Sequence, residues 1–407
     1  MLSKNNSQKK AKIKKNDEQL SAGEEAAATI RKKNGKYYDL SKASLVNKGL
    51  IKLNDRQFLD LFKNLRLRFD LTTQCNAWCV FCSNEGSNYT SKRGREAKIE
   101  DVIYLSEVLI KNTPLKSIDF SGGEPTIHSD FTKGEFKLAK WTKKYPQIRF
   151  SIHSNGITLT PAIVDRLKGS FSRIGISIHS LNFATWNKIT NLNNFYPLAA
   201  QKIKFSRLLD NLKYIAKQNI GDKIFIKSVV MRGLNDSPEE LSAILKFCEK
   251  NNFHPKFLEF EPQYPEHEKF IVGRRELFAK LERLGCHFSA DAPRHNDPNR
   301  YIPGVNFSYH NQKGLHSIFG CGDKAACESC YLFLCMFVKP LEGGRGLYLK
   351  PCPPLDTRFD LSWALAKKDQ KQILDIFKMS REYLMMTPGI GIKGWNKEEK
   401  YLNTNLC

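Results

Sequence analysis

Short runs of β-branched and aromatic residues alternate with longer segments of helical periodicity from about residue 61 onward. The apolar runs predict strands at Leu65–Thr73, Ser117–Ser121, Arg149–Ser154, Arg173–His179, Lys223–Met231 and Lys256–Glu261. Helical spacing is expected over Ile99–Ile110, Phe136–Lys144, Ala162–Leu167, Ser206–Lys217, Pro238–Asn251 and Arg275–Leu284. Six strands separated by helices predict an α/β fold built on a parallel sheet, a partial (β/α)6 TIM-type barrel whose functional residues gather at the C-terminal strand ends. After Cys286 the alternation gives way to a Gly-, Pro- and Cys-rich region to about Leu361, then a helical tail through Leu384. The expected domains are a basic, mobile extension over 1–60, a barrel over 61–285, and a cysteine-rich region with its helical tail over 286–407.

A chain of 407 residues, 41% hydrophobic, can bury a sizeable core. No stretch reaches the roughly 18 apolar residues of a membrane span, and the polar start Met1-Leu2-Ser3-Lys4 has no apolar segment of the secretory kind. A cytoplasmic protein is therefore expected, with no membrane partner. The net charge of +23 admits a nucleic-acid partner, although most of the excess is scattered lysine. Ten Lys and Arg against four acidic residues fall within residues 1–37, giving that segment +6.

Eleven cysteines in a reducing compartment point to metal rather than disulfides. Cys75, Cys79 and Cys82 follow the first strand directly. Three soft ligands within eight residues can wrap one face of a 4Fe–4S cluster, leaving one iron open to chelate a small molecule. A zinc site is the competing reading, but a closed one needs a fourth Cys or His nearby, and the first candidate after Cys82 is His128. The second strand ends in Ser121-Gly122-Gly123-Glu124-Pro125, where paired glycines permit close backbone approach to a ligand and the Glu124 carboxylate can accept from an ammonium group. The next two strands end in His153-Ser154-Asn155-Gly156 and Ile176-Ser177-Ile178-His179. These polar sets serve either as turn chemistry or as contacts to a cofactor's ribose and carboxylate.

The three-cysteine loop followed by Gly122-Gly123-Glu124-Pro125 resembles the radical S-adenosylmethionine (SAM) superfamily. The resemblance implies a 4Fe–4S cluster and SAM as cofactors, one-electron cleavage of SAM to a 5′-deoxyadenosyl radical, and an electron donor such as flavodoxin or ferredoxin. It also implies that Phe81, Gly122, Gly123, Glu124, Asn155 and Ser177 contact SAM. Residues 65–263 are similar to the GTP cyclase that starts molybdenum-cofactor biosynthesis, carried by Arg68 seven residues before Cys75, by Lys227-Ser228-Val229-Val230-Met231-Arg232-Gly233-Leu234-Asn235 and by Phe257-Leu258-Glu259-Phe260. The departures concern the triphosphate. The family's Arg-x-Arg after the second auxiliary cysteine is Tyr331-Leu332-Phe333-Leu334 here, and its remaining cationic and threonine positions fall on Asp119, His153 and Phe225. Several lost charge-assisted contacts of about 1.5–3 kcal/mol each argue against GTP.

Cys321, Cys327, Cys330, Cys335 and Cys352 offer five thiolates for a second site needing three or four: a second 4Fe–4S cluster, a zinc knuckle or free thiols. Their spacing, with Gly343-Gly344-Arg345-Gly346, is also similar to the auxiliary domains of radical SAM peptide maturases and aminoglycoside-type dehydratases or dehydrogenases, without matching either. The expected function is radical chemistry on a small molecule or peptide, with Arg68, His153, Lys227 and Glu259 as candidate substrate contacts. The alternatives are a GTP cyclase-like enzyme, a structural or sensing iron–sulfur protein, and an RNA-modifying enzyme.

Overall fold

The computed structural model describes residues 52–63, 65–82, 95–260, 262, 265–288, 305–310, 312–317, 335–341, 346–351 and 358–386. The first element is helix α1 (Asp55–Phe62), which crosses the boundary expected at residue 60. Asn54 and Gln57 cap its start reciprocally, the Asn54 side chain accepting from Gln57 N at 2.9 Å and Gln57 Oε1 accepting from Asn54 N at 3.0 Å. Phe58 and Phe62 on its inner face enter the core.

Six parallel strands follow: β1 (Arg66–Asp70), β2 (Ser117–Ser121), β3 (Arg149–Ser154), β4 (Arg173–Ser177), β5 (Ile224–Val230) and β6 (His254–Glu259). The intervening helices are α2 (Ile99–Asn112), α3 (Ser129–Thr132), α4 (Lys137–Thr142), α5 (Pro161–Leu167), α6 (Phe183–Thr190), α7 (Leu198–Ala216) and α8 (Pro238–Asn251), with α9 (Arg274–Arg283) after β6. The fold class read from the alternation is the one observed. Three pieces between the strands went unread: the short α3, α6, and the first half of α7.

β1 to β4 alternate strictly, and β5 and β6 do so in part. Leu67 and Phe69, Ile118 and Phe120, Phe150 and Ile152, Ile174 and Ile176, and Ile224 and Ile226 are buried against helix residues such as Leu105, Leu138, Val164, Leu212 and Leu245. The other parity carries Arg66 and Arg68, Asp119, Ser151 and His153, Arg173, Lys227 and Lys256. A parallel sheet covered on both faces reads as continuous apolar runs, so polar residues at every second position mark a wet interior. The sheet is curled: Arg66 and Arg68 on β1 depress the Lys256 ammonium on β6, five strands away in the order.

The region after Cys286 is not strand-free, because six further strands are added to the two edges of the same sheet. β7 (Cys286–Phe288), β8 (Val305–Tyr309) and β9 (Gln312–Ser317) extend it beyond β6, while β10 (Cys335–Pro340), β11 (Leu347–Lys350) and β12 (Phe359–Asp360) extend it beyond β1. β9 and β10 run parallel to their neighbours, so eight consecutive strands point the same way. A buried Lys339–Asp70 pair at 2.8 Å ties β10 to β1. The tail forms α10 (Ser362–Ala366) and α11 (Gln370–Met386); the latter packs Phe377 on Phe62 of α1 with ring centroids 6.1 Å apart. Among the described residues no helix is long and apolar enough to cross a membrane.

Candidate active site

The cysteine loop leaves the C-terminal end of β1 and is held from two sides. On one side, Gly123 N donates to Thr72 O at 2.7 Å and Glu124 N to Gln74 O at 2.6 Å. On the other, Trp78 N and Val80 N donate to the carbonyls of Thr190 and Ile189, at 2.9 and 3.0 Å, in the last turn of α6. A helix end leaves such carbonyls without internal partners, and here the loop supplies their donors. Phe81 fits beside an apolar cluster of Ile189, Met231 and Phe260, and lies edge-on to His179 at 4.5 Å.

The paired glycines are demanded by the loop itself. Gly122 has φ +133°, and a Cβ there would come within 2.4 Å of Thr72 O; one on Gly123 would come within 2.0 Å of Gln74 O. The close approach read from the sequence is therefore made first to the backbone that carries Cys75. Glu124 is buried and accepts four bonds from the protein: Oε1 from Thr126 N at 3.1 Å, Thr126 Oγ1 at 2.5 Å and Ser154 Oγ at 2.8 Å, and Oε2 from Asn155 N at 2.6 Å. The carboxylate locks the ends of β2 and β3 together. Asn155 points its amide at Cys75 Sγ, 3.9 Å away, and at Asn76 Oδ1, 2.5 Å away. Ser177 ends β4 in register with Lys227.

Burial pushes the Cys75 thiol up to about 12, reinforced by the Glu124 charge. Cys79 is likewise raised well above the usual thiol value, by burial and by Cys75 and Cys82. Burial of this kind favours the neutral thiol, so the charge that would hold Cys75 and Cys79 as thiolates arrives with a ligand, as it does with iron. Among the described residues no three His, Cys, Asp or Glu side chains converge where a single ion could sit. A tetrahedral zinc with sulfur at about 2.3 Å needs such convergence, whereas a cubane takes each sulfur at its own corner. The donor set fits a 4Fe–4S cluster held by Cys75, Cys79 and Cys82.

Beneath this loop the polar parity of the strands forms a charged lumen. Asp119, fully buried on β2, lies 3.5 Å from Arg66 and 3.4 Å from His153 Nε2. Burial works against its ionisation, but His153 and Arg66 hold its carboxyl well below the usual range. His153 is lowered to about 3 by burial and by Lys227, and stays neutral. Arg68 sits over the Phe337 ring at 5.1 Å. Lys227 is brought down to about 7 by burial, with Lys256 and Arg68 adding to it, and Lys256 to about 8 by burial with Arg66 and Arg68. Three of the four expected substrate contacts thus meet: Arg68, His153 and Lys227. Glu259 does not join them, because it has the opposite strand parity to Lys256 and binds Arg274 at 2.9 Å.

Arg66 and Lys256 were missed in the sequence, as was the part played by Asp119, although alternation around Arg68 and Lys227 carried the signal. Cys321, Cys327, Cys330 and Cys352 lie outside the described residues. The backbone of Cys335 opens β10 opposite Arg66, at the N-terminal end of β1 and so at the far end of the strands from the cysteine loop.

Residues 70–248 match the family model described as the radical SAM superfamily. The chain carries a radical SAM domain. It is similar to the GTP 3′,8-cyclase of Clostridium acetobutylicum, 25% identical over 288 residues, covering 70% of this chain and 83% of that one. It is also similar to the probable GTP 3′,8-cyclase of Pyrococcus abyssi, 27% identical over 223 residues, 54% of this chain and 64% of that one. In fold it is similar to Streptococcus suis SuiB, solved with its precursor peptide SuiA: TM-score 0.52, 15% identity, 90% of this chain and 77% of that one. The radical SAM domain makes this an enzyme of the iron–sulfur, SAM-dependent kind, in which a cluster and SAM, when bound, would supply reductive cleavage to a radical that takes hydrogen from substrate. The chain's own contribution is to hold three sulfurs on a loop braced from both sides, to aim the Asn155 amide at one of them, and to present a cationic lumen below.

Proposed function

We propose that the substrate is a small anionic molecule seated in the lumen beneath the cysteine loop, gripped by Arg66, Arg68, Lys227 and Lys256. One observation carries this: Arg66, Arg68, Arg173, Lys227 and Lys256 share one parity of the curled strands, where Asp119, already engaged by Arg66 and His153, acts on Lys227 and Lys256. Like charges crowded at low dielectric raise each other's cost, and a bound anion relieves it. The grip differs from the triphosphate set of the GTP cyclases, so phosphate or carboxylate groups in general, rather than GTP, define the class. Thermal shift and calorimetric titration with inorganic tripolyphosphate, GTP and an uncharged nucleoside test the reading. Tripolyphosphate should bind the wild type and lose at least tenfold in affinity with Arg68→Ala; equal behaviour of anion and nucleoside would sink it.

We read the engine itself as held by Cys75, Cys79 and Cys82, with Phe81, Gly122, Gly123, Glu124, Asn155 and Ser177 around SAM. Anaerobic reconstitution with iron and sulfide, then dithionite and SAM, should yield 5′-deoxyadenosine in the wild type and none in Cys79→Ala. The later cysteines, Cys321, Cys327, Cys330, Cys335 and Cys352, we read as candidate ligands of a second 4Fe–4S cluster. Wild type should then carry about eight irons per chain, falling to about four in Cys330→Ala. Thiol-held clusters also suit the reducing cytoplasm.

A further inference from the structure

Lys227 has a neighbourhood that anion binding alone does not require. Its side chain lies across Gly175 on β4: a Cβ at that position would come within 3.0 Å of Lys227 Cδ and 2.5 Å of His153 Nδ1. The absent side chain is what allows lysine and imidazole to occupy one place. In register, Lys227 stands between Ser177 of β4 and Lys256 of β6. Among the described residues no carboxylate lies within ion-pairing distance of its Nζ. The groups that act on it are Asp119 from β2, the cations Arg66 and Arg68 from β1, and Lys256. Lys227 in turn depresses His153 on β3 and His179 beyond β4.

The imidazole is oriented. Its Nε2 lies 3.4 Å from Asp119 Oδ2, which favours a proton on that nitrogen, and Nδ1 is buried and without a hydrogen-bond partner. An amine beside a second ammonium, in a half-buried site with a free acceptor against it, is poised for nucleophilic rather than purely ionic work.

We propose that Lys227 is a nucleophilic amine that captures the carbonyl group of an anionic substrate as an imine, with His153 Nδ1 as the adjoining hydrogen-bond acceptor. This rests on the anion-binding reading of the lumen and names the second functional group its ligand must carry. In the step, the Lys227 nitrogen adds to the carbonyl carbon and gives up two protons, and the carbonyl oxygen leaves with them as water. One C=N bond replaces one C=O bond, and no electron is exchanged. Arg66, Arg68 and Lys256 hold the anionic group while the amine reacts. With the amine brought down to about 7, about half is neutral at pH 7, against roughly one in 2,500 for an ordinary lysine.

Pyridoxal 5′-phosphate, an aldehyde bearing a phosphate, is the probe. The cluster-loaded full chain is treated with it and cyanoborohydride under anaerobic conditions from about pH 6 to 9, and adducts are mapped by mass spectrometry. Lys227 should be modified at least tenfold faster at pH 7 than exposed lysines such as Lys213, with a half-maximal rate near pH 7. Tripolyphosphate should suppress the adduct, and Lys256→Met should move the midpoint upward by removing a neighbouring charge. Lys227→Gln should lose the adduct while keeping its iron content, which separates loss of the amine from loss of the fold. Labelling spread over surface lysines with Lys227 unmodified, while tripolyphosphate still binds, overturns the imine and spares the anion site. Failure of both the labelling and tripolyphosphate binding overturns the two readings together.

Discussion

Replacing Gly123 by alanine separates two accounts of the paired glycines. If they serve only to admit SAM, the variant keeps its cluster and loses SAM binding. If they seat the cysteine loop, as the backbone contacts indicate, the cluster is lost as well. The new Cβ would lie 2.0 Å from Gln74 O, so the two segments must part by roughly 1.4 Å to reach an ordinary 3.4 Å contact. That separation breaks the bonds Gly123 N to Thr72 O and Glu124 N to Gln74 O, at 2.7 and 2.6 Å. Two buried backbone pairs left unmade cost roughly 2–5 kcal/mol in all, a large share of the about 5–15 kcal/mol that holds a folded domain. The assay is iron and acid-labile sulfide per chain after anaerobic reconstitution, beside equilibrium binding of SAM. Iron content should fall by more than half. Full iron loading with SAM binding alone abolished would refute the reasoning and return the glycines to the ligand.

Asn155→Asp puts a second carboxylate beside Cys75 Sγ, where the amide now stands 3.9 Å away, and should lower the cluster's reduction potential and slow 5′-deoxyadenosine formation, measured by electrochemical titration and product yield. Lys227 and Lys256 have folded-state pKa values of about 7 and 8, below the lysine range. The unfolded chain therefore binds more protons between about pH 7 and 10, so the unfolding free energy should rise with pH across that window. Tripolyphosphate should raise the thermal midpoint more at about pH 6.5 than at about pH 9, when fewer lysines are charged. His153 and His179, both lowered to about 3 from 6.5, should erode stability as pH falls through that interval, followed by denaturant unfolding at stepped pH. Arg274→Met removes the guanidinium that offsets burial of Glu259 and should cost about 3–5 kcal/mol by the same unfolding measurement, most of it regained when Glu259→Leu is added. Equal stability of the single and double variants would show that the pair is not coupled.

The cysteine loop, the order of β1 to β6 and the mouth turns were legible in the sequence because each is local. A strand followed by Cys75, Cys79 and Cys82 declares its chemistry through spacing, and alternating strands and helices permit few topologies. The identity of the lumen was only half visible. Arg68 and Lys227 stood out, yet Arg66, Asp119 and Lys256 gained meaning only when curling brought β1 and β6 face to face. Glu124 offered a carboxylate to a ligand on paper, but four donors from Thr126, Ser154 and Asn155 claim it in the fold. The strands after Cys286 escaped notice because β9 pairs with β6 and β10 with β1, at opposite ends of the six-stranded core, and such pairing is set by distant neighbours rather than local pattern. By itself, then, the sequence determined which chemistry the chain can ligate and the class of its fold. Tertiary structure decided which charges confront one another, because a strand's parity is written locally while the partner across a barrel is chosen only when the sheet curls.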